Sequence, residues 1–166
     1  MSNPQKQYDL SPFKGIIICK QSGEYLLDLI LDSEIDPVLL SSFVGALSLF
    51  GKDNFGKIEE ITIKGLDVQM VIVNKYGLVL ITILDKSFPL HNIRKEAEKA
   101  LDNFYLFYQD QFDNCIDVDK FDSFKSVLRD QIKKYFKKLE TRNDLEDIGD
   151  FGFFTNAIKK MRDLEN

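Results

Sequence analysis

The sequence predicts an α+β domain built on a five-stranded antiparallel sheet, with one helix on one face and two on the other. Three observations carry that reading. Five short apolar runs are joined by connections such as Lys64-Gly65-Leu66-Asp67 and Asn74-Lys75-Tyr76-Gly77, too short for a parallel crossover. An uncharged helical stretch interrupts the runs after the second. Two amphipathic stretches follow the last of them.

The first strand is read at Gly15 to Cys19, and Gln21-Ser22-Gly23-Glu24 turns the chain into a second at Tyr25 to Leu31. Asp36-Pro37 supplies a side-chain cap and a proline suited to the first helical turn, and Gly51 is a natural left-handed terminator, so helix one should run about fifteen residues to Gly51. Strands three to five are read at Ile58 to Ile63, Val68 to Val73 and Leu78 to Leu84. Helix two, about Ile93 to Gln109, aligns Ile93, Ala97, Ala100, Leu101, Phe104, Phe107 and Tyr108. Helix three, about Lys120 to Leu139, aligns Phe121, Phe124, Leu128, Ile132, Tyr135, Phe136 and Leu139. Asn143 to Asp150 is acidic and reads as loop, and Phe151 to Leu164 as a short helix around Ala157, Ile158 and Met161.

Polarity orders the sheet. A central strand covered on both faces is apolar at consecutive positions, as Ile16 to Cys19 and Leu78 to Leu84 are, whereas Asp28 and Glu59-Glu60 mark edges. The expected order is 2-1-5-4-3, with helix one crossing one face and helices two and three the other.

At 166 residues the chain has the size of one domain, divided here into a flexible N-terminus (1–13), a folded domain (14–140) and a C-terminal tail (141–166). A hydrophobic fraction of 44% and a charged fraction of 30% are those of a globular protein. The net charge of −5, with acids and bases interleaved, argues against a nucleic-acid surface. Cys19 and Cys115 stand far apart, no Asn-x-Ser/Thr acceptor occurs, and Met1 to Pro12 lacks an apolar signal core, all of which point to a reducing cytoplasm.

Element order and text from about Lys14 to Gln109 resemble the longin domain and its roadblock relatives. The resemblance rests on KGIIICKQSGEYLLDLIL, the Asp36-Pro37 helix, the meander closing on NKYGLVLITILD, and a following helix rich in Phe and Tyr. It implies a longin/profilin-like sheet between helices and a non-catalytic module of vesicle trafficking and GTPase regulation. Its implied partners are itself or a sister longin/roadblock domain and a small GTPase. The chain departs from longin SNAREs in lacking a long heptad segment and an anchor, and from roadblock proteins, which begin with a helix. The rival reading is a sensory domain of profilin- or PAS-like shape holding a small ligand; a large internal cavity would favour it, a filled core with an apolar exterior patch would favour partner binding.

Helix one is the most informative element, because Pro37 to Phe50 contains no charge. A wheel places Leu39, Leu40, Phe43, Val44, Ala46, Leu47 and Phe50 on the core face, and small uncharged residues on the other. That second face, Val38, Ser41, Ser42, Gly45, Ser48 and Leu49, is the expected partner interface, to which Glu59 and Ile61 of the strand-three edge are added. A charge placed at Gly45 is then expected to break association. Two other readings stay open: that Phe151, Phe153 and Phe154 fold back over this face, and that Glu59 and Glu60 are there to prevent edge pairing.

Helix three carries Lys125, Arg129, Lys133, Lys134, Lys137 and Lys138 away from its apolar stripe, either as a solvated face or as a contact for an acidic partner or an anionic membrane surface. No residue is assigned to catalysis, a cofactor or a metal. Asp150-Phe151-Gly152 lacks the other kinase motifs, Asp113, Asp117 and Asp119 lack a calcium loop's glycine and glutamate, His91 stands alone, and no phosphate-binding loop occurs.

Overall fold

The computed structural model describes residues 12–111 and 117–148, of which 143–148 are described by backbone alone. Its elements follow the predicted order: β1 (Phe13–Lys20), β2 (Tyr25–Ile30), α1 (Pro37–Phe55), β3 (Glu60–Lys64), β4 (Val68–Lys75), β5 (Leu78–Asp85), α2 (Ile93–Tyr108), a 3-10 turn at Val118–Phe121, and α3 (Phe124–Ile148). The strands are antiparallel throughout and lie in the order β2-β1-β5-β4-β3. One body spans Asp9–Arg129, and a second takes in α3 from Asp130 onward.

The polarity argument for the order holds because the two central strands are buried on both faces. Ile16 to Cys19 and Leu78 to Leu84 are all buried. The register sorts them by face: Ile17 lies opposite Ile81 and Cys19 opposite Val79 on one side, and Ile16 lies opposite Thr82 and Ile18 opposite Leu80 on the other. Val44 of α1 closes the first side against Ile17, Cys19, Ile72, Val79, Ile81 and Ile83. On the second side α2 packs on β4 and β5, burying Ile93, Ala97, Ala100, Leu101 and Phe104. The ring of Phe104 meets those of Tyr108, Phe121 and Phe124 at 5.1, 5.3 and 5.2 Å between centroids, which ties α2 to the start of α3.

Two local devices set the sheet's ends. A bulge between Ile18 and Cys19, opposite Leu26, turns Tyr25 and Asp28 to the same face, where the Tyr25 hydroxyl donates to the Asp28 carboxylate. At the β4–β5 turn Tyr76 (φ 59°) and Gly77 (φ 71°) both take left-handed backbone, as a two-residue hairpin requires. Tyr76 is held there by stacking on Tyr105 at 4.4 Å and by donating to Asp102 Oδ1 at 2.8 Å.

Three expectations are corrected. Helix one does not stop at Gly51 but runs to Phe55 and ends at Gly56 (φ 84°). Gly51 serves packing instead: a Cβ there would lie 1.8 Å from Ile58 Cδ1. Helix three begins later, at Phe124, because Asp117 caps a separate 3-10 turn by accepting from the Asp119 N–H at 3.0 Å. Its end lies later too. The acidic stretch read as loop from Asn143 continues the helix to Ile148, since no glycine or proline interrupts the backbone between Lys120 and Ile148. The short helix expected within Phe151 to Leu164, and Phe151, Phe153 and Phe154 themselves, lie outside the described residues.

The Asp102 site yields a pH test. Lys75 Nζ, at 2.8 Å, and then the Tyr76 hydroxyl hold its carboxyl below the usual carboxylate range. A depressed folded value means stability present above the unfolded value, about 3.9, and lost as the pH falls through the folded one. Asp102→Asn is therefore expected to destabilise measurably in urea titrations at neutral pH, and the difference from wild type to shrink as the pH falls below the unfolded value.

Candidate protein-contact surface

α1 starts cleanly. Asp36 Oδ1 accepts from the N–H groups of Val38 (3.1 Å) and Leu39 (3.2 Å), with Pro37 in the first turn. From there to Gly51 no charge tells which side faces water. The helix settles the matter by size. Ser41, Val44, Gly45, Ser48 and Gly51 are the buried residues. Over Gly45 runs the backbone of the β1–β2 turn: a Cβ on Gly45 would sit 2.5 Å from Gly23 Cα and 2.8 Å from the Ser22 carbonyl oxygen. Ser41 fits the same narrow space because its hydroxyl donates back to the Pro37 carbonyl at 2.7 Å.

The large side chains point the other way. Leu39 is 69% exposed, Phe43 50%, Phe50 59%, Val38 56% and Leu49 66%. The helix is thus turned relative to expectation. Leu39, Phe43, Ala46 and Phe50 are not core but exterior, and Leu40 and Leu47 are half-buried; of the expected core face only Val44 is fully buried. Among the expected interface residues, Val38, Ser42 and Leu49 are exposed on the helix, Glu59 is exposed just ahead of β3, and Ile61 is half-buried on the sheet. Ser41, Gly45 and Ser48 are buried. The physical reason is the close approach of the hairpin turn, which admits only small residues.

The apolar surface continues past the helix. α1 lies over β1 and β2, so Ile61, Ile63, Val68 and Met70 on the same sheet face remain only half-buried. An open cleft of about 700 Å³ runs there, with Leu40, Met70 and Ile83 on its walls and Lys14 and Asp85 on its rim.

Beyond it lies the edge of β3. The Asn74 N–H donates to Glu59 O at 2.9 Å, and the Gly65 N–H to Val68 O at 2.8 Å. Antiparallel ladders alternate, so Ile61 and Ile63 bond to β4, and Glu60, Thr62 and Lys64 turn their N–H and C=O groups to the free side. Arg94 of α2 meets Glu59 at 3.1 Å, Glu60 at 3.4 Å and Glu98 at 3.1 Å, which answers the acidic start of this edge from within the chain.

Burial pushes the Cys19 thiol up to about 11, against a smaller opposing effect from the Ser41 hydroxyl, which leaves it without thiolate character at neutral pH. Among the described residues no group of three His, Cys, Asp or Glu side chains is placed to hold a metal ion. No described helix is long and apolar enough to cross a membrane.

The inside-out placement of α1 is tested by stability. Gly45→Ala is expected to cost about 2 kcal/mol or more in denaturant titrations, because backbone must move. Gly51→Ala is expected to stay within about 1 kcal/mol of wild type, since Ile58 can swing aside and alanine favours helix by about that amount. In the isolated chain, Phe50→Ser should lie within about 0.5 kcal/mol of wild type, as an exposed position does.

No family model matches the sequence, and no curated protein matches it. Solved structures do. MglB of Myxococcus xanthus superposes at TM-score 0.51 and 17% identity, covering 60% of this chain and 81% of that one. A Roadblock/LC7 domain from Streptomyces avermitilis gives 0.48 at 9% identity, over 57% and 86%. The gliding protein MglB from Thermus thermophilus gives 0.49 at 15%, over 57% and 80%. At such identities what is shared is architecture, carried by the Myxococcus xanthus match together with the strand order. The chain has the longin/roadblock fold.

Proposed function

We propose that this chain is a non-catalytic interaction module of the cytoplasm, its folded domain spanning 14–140, that pairs with a second copy through α1 and the β3 edge. The pair would offer a platform to a small GTPase or a membrane-trafficking complex, the role the resemblance implies. One observation carries the reading: Leu39, Phe43 and Phe50, at least half exposed, stand on the uncharged Pro37 to Gly51 stretch of α1. Large apolar side chains grouped on one exterior face mark an association surface.

The edge strand favours a second copy over an unrelated partner. A two-fold axis through Thr62 would set Glu60 opposite Lys64 of the other copy, and Ile61 opposite its Ile63, with the outward backbone groups in bonding register. Registers that set Glu60 against Glu60 are repelled. The alternative, that the acids guard the edge, is weakened by Arg94, which already neutralises part of their charge. Ligand sensing draws no support from the space beneath α1, which Val44, Ile17 and Ile81 fill.

The test is the oligomeric state by light scattering. Wild type is expected as a dimer, and Phe43→Glu, at a half-exposed position outside the core, as a monomer, its dissociation constant raised at least about thirtyfold. Lys64→Glu is expected to weaken the dimer and Glu60→Lys in the same chain to restore it. A monomeric wild type, or an unchanged dimer in Phe43→Glu, would overturn the proposal.

A further inference from the structure

α3 carries a second surface of a different character. Between Phe124 and Arg142 stand seven basic residues, Lys125, Arg129, Lys133, Lys134, Lys137, Lys138 and Arg142, against two acids, Asp130 and Glu140. The whole chain is at −5, so this helical stretch, at +5, opposes a remainder at −10. The concentration is structural as well as compositional. Lys133 and Lys137, and beside them Lys134 and Lys138, stand at intervals of four on the part of α3 beyond Asp130, all four exposed, whereas Lys125 is half-buried and pairs with Asp122 at 3.5 Å. Arg129, Lys133, Lys134 and Lys137 are exposed, and none of the four has an ion pair among the described residues.

We infer that this face of α3 is a docking surface for an anionic membrane leaflet. The residue types choose among anionic partners. Protein interfaces favour arginine, whose fork grips a carboxylate, and are depleted in lysine; here the cluster is mostly lysine. Single-stranded nucleic acid is gripped by stacking on exposed rings; here Tyr135 is buried and Phe136 half-buried. Lysines are compact, hydrated charges on flexible stems, suited to the mobile headgroups of a phosphatidylserine-rich surface. Lysines spaced along one helix present a line to a plane and ask for no shaped pocket. The acids Asp144, Glu146 and Asp147 follow in sequence, so the attraction is confined to the stretch ending at Arg142. The surface is independent of α1 and β3, and its occupation needs no second copy.

Co-sedimentation of the full chain with vesicles tests this, using phosphatidylcholine alone and phosphatidylcholine mixed with phosphatidylserine. Binding is expected only to the mixed vesicles, and to fade as salt is raised past the point where the Debye length falls to about 8 Å. The Lys133→Glu, Lys137→Glu pair should lower the partition coefficient at least about tenfold, Gln at the same positions should give a smaller loss, and Arg should retain binding. Circular dichroism melting identifies any variant that fails to fold, and the Gln pair then stands in for it. Absence of a phosphatidylserine preference in wild type, or equal binding by wild type and the charge-removed variants, overturns the inference. So does retention on immobilised polyglutamate without vesicle binding, which would assign the face to an acidic protein.

Discussion

The backbone of the β1–β2 turn runs into the side of α1 at Gly23 and Gly45, closer than any side chain allows. Much else follows from that one approach. A helix pressed against backbone must present glycine and serine to it, and Ser41, Gly45 and Ser48 occupy the seam at intervals of four and three, the helical repeat. Leu39, Phe43, Leu49 and Phe50 of this uncharged stretch then lie outward. Burying a leucine or phenylalanine is worth about 1.5–3 kcal/mol relative to exposure, so these four on the exterior forgo several kcal/mol in the isolated chain. A surface built at that cost in stability is what association would recover.

The two faces of the sheet are finished differently, and so are its two edges. On the α2 side, the rings of Phe104, Tyr108, Phe121 and Phe124 close the layer. On the α1 side, the helix lies mainly over β1 and β2, Val44 reaches Ile72 and the β5 residues, and Ile61, Ile63, Val68 and Met70 of β3 and β4 stay partly in view. At one edge β2 carries Asp28 on the α1 face, a charge on an edge strand of the kind that discourages further strands. At the other, β3 alternates exposed Glu60, Thr62 and Lys64 with half-buried isoleucines, charges of opposite sign at its two ends. Half-covered face and permissive edge adjoin one another.

How much of this was legible in the sequence depended on whether polarity could speak. The strand order could be read because Ile16 to Cys19 and Leu78 to Leu84 are unbroken by charge while Asp28 and Glu60 are not. The facing of α1 could not, because no charged residue between Pro37 and Gly51 marks its wet side and size alone suggested Leu39, Phe43 and Phe50 for the core. The signal that contradicts it was present: Ser41, Gly45, Ser48 and Gly51 form one helical row of small residues, and Gly23 sits in the turn just before. Such a row can mean contact with another chain or with the chain's own backbone, and only coordinates separate the two. Gly51 misled for a related reason. A glycine after an apolar run reads as a stop, but here it makes room for Ile58, and the left-handed residue comes five positions later at Gly56.

On the proposed pairing, affinity and geometry come from different elements. α1 from Pro37 to Gly51 has no charge with which to choose a partner or an orientation, so it can supply apolar area and little else. Apolar contact is non-directional and would tolerate several arrangements of two helices. The β3 edge has the opposite properties: a short ladder contributes modestly, but a slip of one residue would turn Ile61 and Ile63 to the wrong face and move Glu60 away from Lys64. A helix that holds without choosing, beside a strand that chooses without holding, needs both elements on one surface. The fold provides that adjacency by centring α1 on β1 and β2, so the half-buried Ile61, Ile63, Val68 and Met70 are as much a part of the surface as the residues exposed on the helix.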